Sequence, residues 1–137
     1  MGQQQLLLII LGVVIVGVSV AVGVGMFQDN AVDHNRAVVL ADLKYLSARA
    51  IQFYNRPTTL GGGSRSFVGL TPDDRGIGLL AGAKYIDNAN GTYSIKTAGT
   101  ATAVVLHGVG KVAMSDGTFP QYDMTVTTSG QTPTKLN

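Results

Sequence analysis

Few residues in this chain are able to do chemistry. There are two histidines, His34 and His107, no cysteine, and eight acidic residues, every one an aspartate. Without a thiol there is no disulfide, no thiolate metal site and no cysteine nucleophile. The histidines stand far apart, one on a predicted helix and one at the end of a predicted strand, with no carboxylate–histidine spacing of a metal-ligand or triad kind. Neither a metal centre nor a catalytic triad is expected, and both histidines read as surface or edge residues. Gly61-Gly62-Gly63-Ser64-Arg65 has the glycines of a phosphate cradle but lacks its Lys-Ser or Lys-Thr ending and its flanking strand and helix. It reads as a flexible elbow. Asp73 and Asp74 could seed a cation site, yet carboxylates that complement a helix N-terminus account for them more simply. Asn90-Gly91-Thr92 matches a glycosylation sequon, but Asn-Gly is also what a tight turn needs, and the turn is favoured. Tyr45, Phe53 and Tyr54 are expected to pack a helix on a sheet rather than to conduct electrons. No cofactor, metal or catalysis is expected.

Charge points the same way. The 137 residues carry ten Lys and Arg against the eight Asp, a net charge of +2, scattered rather than gathered into a stripe. A nucleic-acid partner is not expected.

The elements that must position these residues begin with an apolar opening, MGQQQLLLIILGVVIVGVSVAVGVGMFQDN, in which no side chain before Asp29 is charged. From Leu6 to Phe27 it runs for about 22 residues, ~33 Å as a helix, enough to cross a bilayer's hydrocarbon core. A cleavable secretory signal fits less well, because MGQQQ has no Lys or Arg and no A-x-A site follows. Leu6, Leu7, Leu8, Ile9, Ile10, Leu11, Val13, Val14 and Ile15 supply the bulk. Gly12, Gly17, Gly23 and Gly25, with Ser19 and Ala21, break it up. Such small residues let helices approach closely in apolar surroundings, or mark a stretch that partly unwinds; glycine is also simply commoner in membrane helices.

From Asp29 to Arg56 there is neither Pro nor Gly, and Val32, Arg36, Val39, Leu43, Leu46, Ala50 and Phe53 recur at steps of four and three. This is an amphipathic helix with one apolar stripe, widened by Leu40, Ser47, Ile51 and Tyr54 and stopped by Pro57. Together the two segments predict one helix of about fifty residues, ~75 Å long. No small domain can cover such an element by itself.

Beyond residue 60 the pattern is that of a β domain. Thr92, Tyr93 and Ile95 read as a strand after the Asn90-Gly91 turn, Ala101 to Leu106 as a buried strand, and Tyr122 to Thr128 as an alternating one. Thr71 as cap and Pro72 at the first helical position predict a short helix over about 73 to 80. Thr127 to Asn137 reads as a loose tail. The expected fold is α+β: a long N-terminal helix packed on a small antiparallel sheet of three or four strands. It divides into an apolar helix (1–28), its amphipathic continuation (29–56), and a Gly-rich linker with a small β domain (57–137).

This layout resembles the type IV pilin-like family, which includes pilins and the pseudopilins of type II secretion. In architecture the resemblance spans the chain; at the level of sequence it rests on residues 1 to 56. It implies a structural subunit, held in the inner membrane by the apolar helix until an assembly machinery extracts it into a homo-oligomeric helical filament at the cell surface. Gln3, Gln4, Gln5 and the run from Leu6 to Phe27 would then form the filament core, and Val32, Val39, Leu43, Leu46, Ala50 and Phe53 would carry the sheet. Family members usually place a glutamate five residues into the mature chain. Gln5 stands there if the chain begins at Met1, and Leu7 if a peptidase cuts after Gly2. A pseudopilin or minor pilin of a secretion machine, and a single-span membrane protein whose β domain binds a partner, are the rival readings.

Overall fold

The computed structural model describes residues 2–83 and 86–137. Helix α1, Gly2–Asn55, runs unbroken for 54 residues. A single 3₁₀ turn, Thr58–Leu60, follows, then α2, Asp74–Ala81. Four strands complete the chain: β1, Gly91–Thr97; β2, Ala103–Gly110; β3, Gln121–Thr127; and β4, Gly130–Lys135. They form one antiparallel sheet in the order β1-β2-β3-β4. The fold is therefore α+β, a long N-terminal helix on a four-stranded meander.

The core lies between the sheet and the second half of α1. Tyr93, Ile95, Val104, Leu106, Tyr122, Met124 and Val126 face the helix from the sheet, and all are buried. Val39, Leu43, Leu46, Ala50 and Phe53 meet them, with Phe67, Leu70, Ile77 and Leu80 closing one end. Val32 is buried too, outside that cluster. The stripe differs from the sequence pattern at one turn: Asn35 is buried where Arg36 was expected, and Arg36 is only half-buried.

Glycines fix how closely helix and sheet approach. A Cβ on Gly108 would sit 3.1 Å from the Tyr93 ring and from Val39 Cγ1, and one on Gly110 would sit 2.0 Å from Asn35 Oδ1. Strand β2 runs on to Gly110 rather than stopping at Leu106 as expected. Here Gly108 and Gly110 accommodate the helix rather than break the strand.

Three other expectations are corrected. The region expected to be a loose tail pairs as β4 along Tyr122–Thr127, and Leu136 N–H donates to Gln121 O. All six β4 residues are exposed, so no apolar period marks the strand; its stability comes from the ladder alone. The cap of α2 is Asp73, whose carboxylate accepts from Gly76 N–H at 3.1 Å, while Pro72 lies outside the helix and Thr71 Oγ1 donates to Asp73. The glycine elbow is a close-fitting helix stop. Gly63, Ser64 and Arg65 N–H groups donate to the carbonyls of Phe53, Arg56 and Tyr54, which α1 leaves open at its end. A Cβ on Gly62 or Gly63 would lie 2.2 Å from Arg56 O or 1.8 Å from Ser66 O, so backbone contact demands glycine at both positions.

Candidate functional site

The largest unsatisfied surface is the first half of α1. Gln3, Gln4 and Gln5 are exposed on its first turn. Leu6, Leu7, Leu8, Ile9, Ile10, Leu11, Val13, Val14 and Ile15 are exposed on all sides, and the large apolar residues of this segment range from 51% exposed at Ile10 to 78% at Phe27. This is the one helix among the described residues that is long and apolar enough to cross a membrane, and none of its most apolar window is buried. Exposure of this kind cannot persist in water. It is compatible with membrane anchoring.

Within the bare segment the backbone stays helical through Gly23 and Gly25, so the unwinding alternative is not the structure adopted. A Cβ at Gly12, Gly17, Gly23 or Gly25 would meet no atom within 4 Å. No contact inside the molecule therefore calls for glycine there. Ser19 Oγ donates to Ile15 O at 2.8 Å, which satisfies the hydroxyl within its own helix.

Below Phe27 the helix becomes the spine of the domain, tied by polar contacts that its apolar period does not reveal. Asn35 Nδ2 donates to Asn90 O at 2.8 Å, and its Oδ1 accepts from Lys111 N–H at 3.1 Å and Val112 N–H at 3.4 Å. One buried amide thus holds the turn before β1 and the end of β2. Asp42 accepts from Tyr93 Oη at 2.6 Å, Asn88 Nδ2 at 3.2 Å and Asn90 Nδ2 at 3.4 Å. Burial and the Asp42 carboxylate both push the Tyr93 phenol far above its usual range, so it remains a neutral donor. The Asn88–Gly91 turn is closed by Asn88 Oδ1, which accepts from the Asn90 and Gly91 amides. The turn expected at Asn90-Gly91 is present, with Asn90 half-buried against the helix.

His107 is not the edge residue its position suggested. It lies mid-strand, opposite Ser94 on β1 and Asp123 on β3. Its Nδ1 is 2.6 Å from Asp123 Oδ1, and Lys96 Nζ is 2.5 Å from Asp123 Oδ2. A carboxylate only accepts, so Nδ1 carries the hydrogen. Burial raises the Asp123 pKa, but hydrogen bonds from Lys96 and His107 outweigh it and hold the carboxyl below its usual value. Residues sixteen apart in sequence become neighbours through strand register, which spacing alone could not show.

Ser94, His107 and Asp123 thus share one row across the sheet. The Ser94 hydroxyl makes no hydrogen bond to His107, and the backbone N–H groups around it are directed into the strand ladder rather than at a substrate. Among the described residues no three His, Cys, Asp or Glu cluster as metal ligands. Tyr45 does not pack on the sheet; it is exposed, 3.1 Å from Arg49 Nε through its hydroxyl. His34 is exposed on α1.

A cavity of about 310 Å³ opens beside the start of the packed half, between α1 and the β2–β3 loop, lined by Asp29, Val32, Asp33, Arg36, Met114 and Ser115. Arg36 reaches into the loop, donating to Met114 Sδ at 2.9 Å and to Asn137 O at 3.4 Å. Two carboxylates line this cavity beside one guanidinium, a poor arrangement for an anion. No family model, characterised protein or solved structure matches this chain.

Proposed function

We propose that this chain is a structural subunit of the type IV pilin-like kind, which polymerises through the first half of α1 into a helical filament. The observation that carries the reading is the continuity of α1: one helix of 54 residues is bare and apolar over its first half and is the core of the α+β domain over its second. A domain that only needed tethering would be served by a span and a flexible linker. An unbroken helix instead couples the position of the span to the position of the domain, as an assembled polymer requires.

The isolated glycines support the same reading. Gly12, Gly17, Gly23 and Gly25 cost helix stability and relieve no crowding inside the molecule. Between copies they let helix backbones come close where lipid or neighbouring helices are equally apolar. In such a bundle Gln3, Gln4 and Gln5 supply neutral hydrogen bonds between helices, at a lower burial cost than an unpaired carboxylate. Before assembly the segment from Leu6 to Phe27 resides in the inner membrane, and the partners of the chain are lipid, its own copies and the machinery that extracts it. In the filament the domain faces outward at the cell surface.

Negative-stain microscopy of a sheared surface fraction, with mass spectrometry of the filaments and of their N-terminus, tests the proposal. Filaments built of this chain are expected. Its recovery only in the membrane fraction, with no filament containing it, would overturn the reading in favour of an anchored domain or a cell-associated pseudopilin.

A further inference from the structure

The end of the apolar run and the lower rim of the domain lie at the same height on α1. Lys111 and Val112 amides bond to Asn35, eight residues beyond Phe27 and so about 12 Å along the axis. Ala113 O, the next carbonyl, accepts from Gln28 Nε2 at 3.5 Å. Gln28 is one residue past Phe27, about 1.5 Å, and helical side chains lean toward the N-terminus, which here is the direction of the apolar run. Two extended residues span at most about 7 Å, so the chain from Lys111 to Ala113 descends along α1 by little more than one turn, and the Asn35 and Gln28 side chains bridge the rest. Ser115 lines the same cavity as Asp29 and Val32, a second, independent mark of this height.

The loop that reaches this level exposes polar residues, Ser115, Asp116 and Thr118, together with two apolar ones, Ala113 and Phe119. Ala113 is exposed, Met114 is half-buried, and Phe119 on the returning limb is 42% exposed. Phe119 precedes Pro120, whose carbonyl takes the Gly110 amide beside Asn35, so it belongs to the loop limb that returns from the Ala113 level to the sheet. Its charges do not favour an anionic surface. Lys111 is paired with Asp87 at 2.5 Å, and Asp116, Asp29 and Asp33 leave the rim acidic.

We propose that the β2–β3 loop, residues 111–120, is a second membrane contact, seated in the headgroup layer of a zwitterionic phospholipid bilayer around α1. The proposal rests on Leu6 to Phe27 crossing that bilayer. Headgroups occupy about 5 to 7 Å on each side of the hydrocarbon, which is where Ala113 falls when Phe27 marks the boundary. Phe119 takes the place that interfacial aromatics take in membrane proteins. The domain is thereby held against the membrane at two points, so its orientation is set before any partner arrives.

The absence of cysteine makes the test direct. Four full-length chains, Val16→Cys, Ala113→Cys, Phe119→Cys and Thr59→Cys, each carry one environment-sensitive fluorophore and are reconstituted in phosphatidylcholine vesicles with a spin-label quencher at the headgroup or at mid-bilayer. The expected result is quenching of position 16 from mid-bilayer, blue-shifted emission and headgroup quenching at 113 and 119, and neither at 59. If 16 is quenched from mid-bilayer while 113 and 119 behave like 59, the loop contact is overturned and the span stands. If 16 is not quenched at all, the span falls and the loop proposal with it.

Discussion

Replacing Asn35 by Ala should loosen the domain from its helix by an amount comparable to truncating a buried apolar neighbour. The side chain is buried and has three partners: Asn90 O at 2.8 Å, Lys111 N–H at 3.1 Å and Val112 N–H at 3.4 Å. Each bond contributes about 1 kcal/mol net, and orphaned partners add to the cost, whereas Ala returns about 0.5 kcal/mol of helix propensity. The balance is a loss of about 2 to 3 kcal/mol out of the 5 to 15 typical of a whole domain. For a domain of this size that lowers Tm by roughly 10 to 20 °C. The assay is near-UV circular dichroism of the full chain in mild detergent, with the exposed His34→Ala as a control expected to change nothing. Gly110→Ala supplies the second arm. Its Cβ would sit 2.0 Å from Asn35 Oδ1, so it should be severe alone and much milder once Asn35→Ala has removed that oxygen. A destabilisation below about 0.5 kcal/mol for Asn35→Ala, or strict additivity in the double mutant, would refute the account of Asn35 as the polar tie.

Further outcomes follow from the same contacts. Asp123 has a folded-state pKa depressed below its ordinary 3.8, so it stabilises the domain above that value and loses the contribution as pH falls through the folded pKa. Asp123→Asn should therefore lower Tm at neutral pH, and urea midpoints of the two proteins should draw together only as pH falls below 3.8 and through the depressed folded-state pKa. Tyr93→Phe removes a 2.6 Å bond to Asp42, which keeps Asn88 and Asn90, so a loss of about 1 to 2 kcal/mol is expected in urea titration. Gly63→Ala must displace Ser66 O, 1.8 Å from the new Cβ, and should expose the chain after Asn55 to limited proteolysis. Gly17→Leu meets nothing within the molecule, so the monomer's melt should be unchanged while filament yield in the sheared fraction collapses. Undiminished yield would argue that Gly17 is not at a helix contact.

How legible these features were in the sequence depends on which physical signal each leaves. The long helix and its buried stripe are written in periodicity: Val32, Val39, Leu43, Leu46, Ala50 and Phe53 recur at helical spacing, and all six are buried. Strand β1 alternates as a half-buried strand does, and β3 does so apart from Asp123, which is buried on the opposite face. Strand β4 buries nothing, so nothing in GQTPTK distinguishes it from a tail. Asn35, Asp42 and the Lys96–Asp123–His107 group left no trace because their partners lie 46 to 77 residues away or across strands. A signal existed for the sheet contacts alone. Once β2 and β3 are paired through Val104 and Val126, register puts His107 opposite Asp123.

The polar ties and the bare helix form one arrangement. An apolar stripe fixes which face of α1 meets the sheet but lets the sheet slide by a helical turn, since turns of similar side chains repeat along it. Asn35 and Asp42 remove that freedom, because a buried amide and a carboxylate with three donors have partners at one axial position only. Axial register matters little to a tethered domain and decisively to a subunit whose bare half must align with that of its neighbours. It also sets how far the loop at Ala113 lies from Phe27, the distance on which the headgroup contact depends. Sliding the sheet by one turn would move that loop about 5.4 Å, nearly the full depth of the layer it is proposed to occupy. The same substitution, Asn35→Ala, should therefore loosen the fluorophore at position 113 from its depth while leaving position 16 unchanged. Concerted movement of both would show that the span, rather than the polar tie, sets the height of the loop.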